Sequence, residues 1–276
     1  MPNFISEDSI EQATLQKLHR EYGFQLLNCH TTDPEDLNDR SNRRDKREVI
    51  LGDRLKTAAL RLNPSIPETA IDQSLAILTQ QRSAMSLIAA NREIDRLLRD
   101  GIPIEYENAQ GRTEPGRVRI IDFNDPNPSG NNEFLAVSQL WIRGDIGFRR
   151  PDILLYINGL PLVFIELKNS NVNLKNAFDD NLNNYKRDIP QLFHPNAVCR
   201  VHPTFVTLTL NPSPKAGEGL PIRLPFSLFW EKGLGDGGRL AELGYARAIA
   251  HHLDSRNLSS PSRIKLSPNS KSCRPL

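Results

Sequence analysis

The sequence predicts an α/β fold: a mixed β-sheet flanked by helices, with an N-terminal helical cap and a poorly ordered C-terminal tail. Three observations carry that expectation. Helical apolar spacing runs from about residue 6 to Gly101, and strand spacing takes over at Ile102. Two apolar runs of strand length, about 152–158 and 161–168, meet at an Asn158-Gly159 turn signal and read as a hairpin. Beyond residue 211 the text turns to Pro, Gly, Ser and basic residues that need form no packed core.

Ser6 followed by Ile10, Ala13, Leu15, Leu18 and Tyr22 reads as an amphipathic helix that Gly23 ends. Residues 31–47 are polar and charged and read as an exposed loop. Glu48 to Leu62 and Glu68 to Gln80 read as helices punctuated by Pro64 and Pro67, and Met85, Ile88, Ile94, Leu97 and Leu98 extend helical spacing to Gly101. This cap reads as scaffold. Strands follow at about 102–107, 117–123, 134–143, 152–158 and 161–168, with Asp125 to Gly130 as a loop. Asn173 begins a helix running to about Asp188, where Pro190 stops it, and a short strand lies near 197–201. In the tail, Leu240 to Leu253 has a helical pattern.

The hairpin holds charge that a core normally rejects: Asp152 opens its first run, and Glu166 and Lys168 close its second. Residues two apart share a strand face, so Glu166 and Lys168 point together. Asp152 is harder to place. A strict two-residue turn pairs Ile157 with Leu160 and sets Asp152 opposite Ile165, on the wrong face. A three-residue loop, or equally a bulge, restores the parity and brings Asp152 opposite Glu166. Two such carboxylates, with the Leu167 backbone carbonyl between the Glu166 and Lys168 side chains, supply hard oxygen ligands for Mg²⁺. Lys168 can hold a water or neutralise charge on phosphoryl oxygens. The plainer alternative is a hairpin whose end emerges into solvent, with Glu166 and Lys168 as a surface pair.

With these residues set out, Arg150-Pro151-Asp152 followed by Glu166-Leu167-Lys168 resembles the catalytic motif of the PD-(D/E)xK nuclease superfamily. Asn91-Arg92-Glu93, Leu97 to Gly101, Arg119 to Phe123, Asn132-Glu133-Phe134, Gln139 with Gly144, and Asn158 to Lys168 resemble successive segments of the N-terminal domain of type I restriction endonuclease R subunits. The resemblance implies a restriction-endonuclease-like core over residues 1–198, with 199–276 a divergent tail. It implies Asp152 and Glu166 as metal-binding carboxylates and Lys168 as the catalytic lysine. It also implies a glutamate on the first helix, for which Glu11 is better placed than Glu7. A Gln-x-x-x-Tyr motif of the family finds Tyr185 here, but Asn181 at the glutamine position, an amide one methylene shorter.

Composition bounds the rest. The chain has 276 residues, 38% of them apolar, and a net charge of +2, so nucleic-acid binding would need locally concentrated charge. Arg143, Arg149 and Arg150 precede the Asp strand; Lys175, Lys186 and Arg187 follow the site. They read equally as phosphate contacts or as solvated charge. Cys29, Cys199 and Cys273 suggest neither a disulfide framework nor a zinc site, and the absence of a long apolar span suggests a cytoplasmic chain without a membrane partner.

The expected function is therefore a Mg²⁺-dependent DNA endonuclease module acting on double-stranded DNA. By resemblance, its partners are the methyltransferase and specificity subunits of a restriction complex. The residues lack G-x-x-x-x-G-K-[ST], so ATP would serve a family member with its motor and is not expected to bind this chain. The chain reads as a truncated R subunit with an unrelated last part; a domain followed by its own disordered tail is the alternative. Two competing functions stay open: a non-catalytic docking or DNA-binding remnant, and a standalone repair-type nuclease.

Overall fold

The computed structural model describes residues 6–108, 110–123, 130–167 and 182–202. Helix α1 (Glu7–Tyr22) begins where the Ser6 hydroxyl accepts the Ser9 N–H and ends at Gly23, whose left-handed backbone (φ 67°) donates to the His19 carbonyl. Strand β1 (Gln25–Asn28) follows directly. Then come α2 (Gly52–Leu62), α3 (Glu68–Thr79) and α4 (Leu87–Asp100), the last capped by Ser86.

Helix α2 starts later than the expected Glu48. The residues before it are held extended by tertiary bonds: the Leu51 N–H donates to Gly159 O at 2.9 Å, and the Tyr156 hydroxyl donates to Val49 O at 3.0 Å. Such bonds outweigh helix propensity in a short segment.

Beyond α4 the strands begin. β2 (Ile102–Glu107) and β3 (Thr113–Val118) form an antiparallel ribbon. The strand expected at 117–123 therefore lies earlier. Val118, Ile120 and Ile121 are buried as expected of a strand, but pairing with β2 stops at Val118. The strand expected at 134–143 splits into β4 (Phe134–Ser138) and β5 (Ile142–Arg143), because Gln139 takes a left-handed backbone (φ 58°). β5 pairs with β6 (Phe148–Arg149) in a second small ribbon.

The main sheet is completed by β7 (Ile153–Ile157), β8 (Leu160–Leu167) and β9 (Val198–His202). It has five strands in the order β1-β4-β7-β8-β9, parallel at the β1/β4 and β8/β9 pairs and antiparallel between, hence mixed. Residues 182–188 are helical and lead into a 3₁₀ turn, Pro190–Phe193. The expected start of that helix at Asn173 and the tail beyond residue 202 lie outside the described residues.

Strand side chains alternate between two cores. Ile153, Leu155 and Ile157 pack with α1–α4, in company with Leu18, Leu55, Ile71 and Ile94. Leu154, Tyr156 and Phe164 face the other way, toward Val49, Leu182, Tyr185, Ile189 and Phe193.

The expectation of an exposed loop at 31–47 needs correcting. Asp39, Ser41, Arg43 and Lys46 are buried, with Arg43 and Lys46 each 2.8 Å from Asp39 Oδ2. Charge can be buried when it is paired and hydrogen-bonded, and here the pairing also reaches across the chain: Arg43 donates to Trp141 O at 2.9 Å. Burial alone would raise the Asp39 carboxyl, but hydrogen bonds from Lys46, Ser41 and Arg43 hold it down at about 2. Among the described residues, no helix is long and apolar enough to cross a membrane.

Candidate active site at the end of the hairpin

The β7–β8 hairpin turns at Asn158 (φ 51°) and Gly159 (φ 80°), the backbone pattern of a two-residue type I′ connection. Ile157 accordingly pairs with Leu160, the register that would put Asp152 across from Ile165. Midway along, however, Tyr156 pairs with Pro161 and Leu155 with Val163, leaving Leu162 without a partner on β7. The extra residue acts as a bulge: Leu162 and Val163, adjacent in sequence, both join the core under the helices. Pairing then resumes as Ile153 with Ile165, and one residue further Asp152 stands across from Glu166. Of the ways to restore parity, the chain uses the bulge and keeps the tight turn.

Asp152 sits just beyond β7, where its Oδ2 accepts the Leu167 N–H at 2.7 Å. Its own carbonyl accepts the Gln139 N–H at 3.2 Å. Glu166 is 5% exposed, and its parity with Phe164 turns it toward the second core. There Tyr185 packs edge-on against Phe164 at 5.0 Å between centroids, and its hydroxyl donates to Arg150 O at 3.1 Å. Burial, then the Glu166 and Asp152 carboxylates and a hydrogen bond to Glu166, push the Tyr185 phenol well above its ordinary value. The hydroxyl keeps its proton at any working pH.

From the opposite face α1 brings Glu11, which is 5% exposed. Burial raises its carboxyl, as do Asp152 and Asp8; the hydrogen bond from the Gln139 amide and the charge of Arg150 oppose the rise, leaving it at about 7. Glu7, the other candidate, is exposed in the first turn. Glu11, Asp152, Glu166 and Tyr185 thus gather about one end of the central strands, approached from both faces of the sheet.

The basic candidates differ in their surroundings. Arg149 donates to Asp188 at 2.7 Å and lies 5.8 Å over the Tyr185 ring, so much of its charge is already engaged. The Arg150 guanidinium stacks 4.8 Å over Trp141, and Lys186 is half-buried on the helical residues 182–188. Leu167 ends β8 with its amide taken by Asp152. Lys168, Lys175 and Asn181 lie outside the described residues.

The sequence singled out Gln139 only within the family-like wording and not as a site residue, yet it touches both acid-bearing segments. Its left-handed backbone leaves no compositional trace in a residue other than Gly or Asn. The break in strand pattern between Ser138 and Ile142 was the available signal.

Chemically, Asp152 and Glu166 form a pair of hard oxygen donors of the kind that binds Mg²⁺ through one or two carboxylates and water. Among the described residues, no three acidic, His or Cys side chains are grouped to hold an ion by themselves. Glu11 therefore approaches the pair rather than completing a cage with it.

The family model described as "Type I restriction enzyme R protein N terminus" matches residues 4–209. The chain is 37% identical over 197 residues to the type I restriction enzyme HindI endonuclease subunit of Haemophilus influenzae, covering 68% of this chain and 17% of that protein. It is 31% identical over 196 residues to the putative type I restriction enzyme MjaIXP endonuclease subunit of Methanocaldococcus jannaschii, covering 68% of this chain and 18% of that protein. The match thus spans less than a fifth of either relative's length.

Proposed function

The chain belongs to the family of type I restriction enzyme R protein N termini, and from that premise we propose that its hairpin end is the site of a Mg²⁺-dependent DNA endonuclease. The observation that carries this reading is the bulge-shifted register, which sets Asp152 across from Glu166 beside the Leu167 backbone. Asp152 and Glu166 would hold the ion, with the Leu167 carbonyl as a further ligand. When bound, the ion polarises the phosphodiester and lowers the pKa of a water.

The protein's own groups do the rest. The Tyr185 hydroxyl keeps its proton and donates it to Arg150 O, so the phenol stands beside Glu166 and holds the segment that leads into Asp152, as outer partners of metal ligands do. Arg150 and Lys186 contact DNA phosphates, with Lys175 beside them and Arg149 in a lesser part because Asp188 already engages it. Lys168 stabilises charge on the phosphoryl oxygens, and Asn181 supports from the following helix. Double-stranded DNA is the substrate, and methyltransferase and specificity subunits are the partners that select the target. The catalytic unit runs through β9, whose residues to His202 pair with β8, and the sequence beyond the family match at residue 209 is not part of it.

A second reading, a docking or DNA-binding remnant without catalysis, rests on Asn181 standing where the family motif carries glutamine. Calorimetric titration of the full chain with Mg²⁺, paired with plasmid nicking in the absence of ATP, separates the two. Under the first reading Glu166→Ala loses both ion binding and nicking, whereas Lys168→Ala binds the ion and fails to nick. Ion binding without nicking in the unaltered chain selects the remnant. Nicking that survives Glu166→Ala refutes the assigned site.

A further inference from the structure

Gln139 is one of four non-glycine residues with positive φ among those described, with Arg40, Asn42 and Asn158. Asn tolerates this region through its short amide, while glutamine has no such advantage. A strained backbone persists when its surroundings over-determine it. Here they do so from two directions. The Gln139 N–H donates to the Asp152 carbonyl at 3.2 Å, and its side-chain amide donates to Glu11 Oε2. β4 ends one residue earlier, at Ser138, so the chain leaves the sheet at the point where both acids can be reached. One residue thereby ties the first helix to the segment preceding β7.

We propose that Gln139 is a positioning residue whose backbone registers Asp152 and whose side chain turns the Glu11 carboxylate toward it. Its relevance to catalysis rests on the endonuclease reading above; the hold on Glu11 does not. Because the side-chain amide donates to Glu11 while the backbone N–H serves Asp152, the two functions of Gln139 can be separated by substitution. Gln139→Gly accepts φ 58° without steric cost and retains the N–H to Asp152, deleting the grip on Glu11 alone. Gln139→Glu keeps the length but replaces the donor with a carboxylate, and serves as the second variant should the first fold poorly.

The test uses the full chain in two arms. In the first, with chelator present, the carbon resonance of the Glu11 carboxyl is titrated and assigned by its loss in Glu11→Gln. In the unaltered protein burial should set the midpoint at about 7. Removing the donor moves the midpoint upward in Gln139→Gly, and further in Gln139→Glu, with Asp152, Asp8 and Arg150 still facing the group. An unmoved midpoint in both variants overturns the proposal.

In the second arm, Mg²⁺ titration and plasmid nicking are compared in Gln139→Gly, Glu11→Ala and the double variant. Gln139→Gly should lose roughly 10–100-fold in ion affinity or nicking, the range expected for an outer partner. It should lose nothing more in the Glu11→Ala background, where the acceptor is gone, whereas a general structural effect would add. Full additivity also overturns the proposal. Should the unaltered chain neither bind Mg²⁺ nor nick, the endonuclease reading fails, and the carboxyl titration alone decides whether Gln139 holds Glu11.

Discussion

Replacing Glu11 with Gln should make the protein more stable above neutral pH. The folded structure raises the Glu11 carboxyl from 4.5 to about 7, chiefly by burial. A carboxyl raised on folding favours the native state below its unfolded value, where it is protonated in both states. That advantage declines as pH climbs from 4.5 and is gone once pH exceeds about 7, where the native protein must carry a buried charge. The shift of about 2.5 units corresponds to about 3 kcal/mol, at 1.36 kcal/mol per unit.

Glutamine is nearly isosteric and its carbonyl oxygen can still accept the Gln139 amide, so the substitution removes the charge and little else. Urea unfolding of both proteins in chelator, from pH 4 to pH 9, measures the effect. The two should be equally stable near pH 4, with Glu11→Gln ahead by about 3 kcal/mol at pH 8. A variant that is less stable at pH 8, or a difference that ignores pH, would refute the reasoning. Groups kept in unfavourable surroundings at a stability cost are commonly functional ones.

Asp39→Ala should lower stability by about 3–5 kcal/mol in denaturant melts, since Arg43 and Lys46 would stay buried without their shared counter-ion. In the unaltered protein the Asp39 contribution is complete above pH 3.8 and disappears as pH falls through about 2, visible as a low-pH loss of thermal stability that the variant lacks. Gly159→Ala should cost at least about 2 kcal/mol, because the residue has φ 80° and an added Cβ would meet Leu51 O at 2.6 Å. Removal of residues 211–276 should leave a cooperative thermal transition, as the family match ends at residue 209; loss of the transition would mark the tail as part of the fold.

The elements most legible in the sequence were those with local signals. Ser6 and Gly23 bounded α1 by capping chemistry, and Asn158-Gly159 marked the hairpin because a type I′ turn needs two positive φ angles. The features that escaped depend on distant partners. β1 is four residues long and is a strand because β4 lies beside it. Residues 31–47 looked solvated because charge was counted without its pairing: Arg43, Lys46 and Asp39 neutralise one another inside the fold. At the site, charge in an apolar hairpin was enough to single out Asp152 and Glu166. A bulge was one of two ways to set them opposite each other; its place at Leu162 was not legible, since Leu162 is one apolar residue in a run of them. Gln139 escaped for the same reason that it matters: its contacts lie 128 residues away at Glu11 and across the sheet end at Asp152.

The unpaired Leu162 gives the hairpin two phases that can be adjusted separately. On the turn side, spacing answers to the scaffold: Gly159 must meet Leu51, and Asn158 must receive the Glu133 N–H. On the far side, spacing answers to the acids. Deleting Leu162 would leave the first set of constraints untouched and rotate Glu166 into the apolar layer beneath the helices. Adding one residue to the turn at the same time would put it back. The two length changes together restore the phase that the deletion alone loses, and the strand behaves as a vernier between the two ends of the sheet.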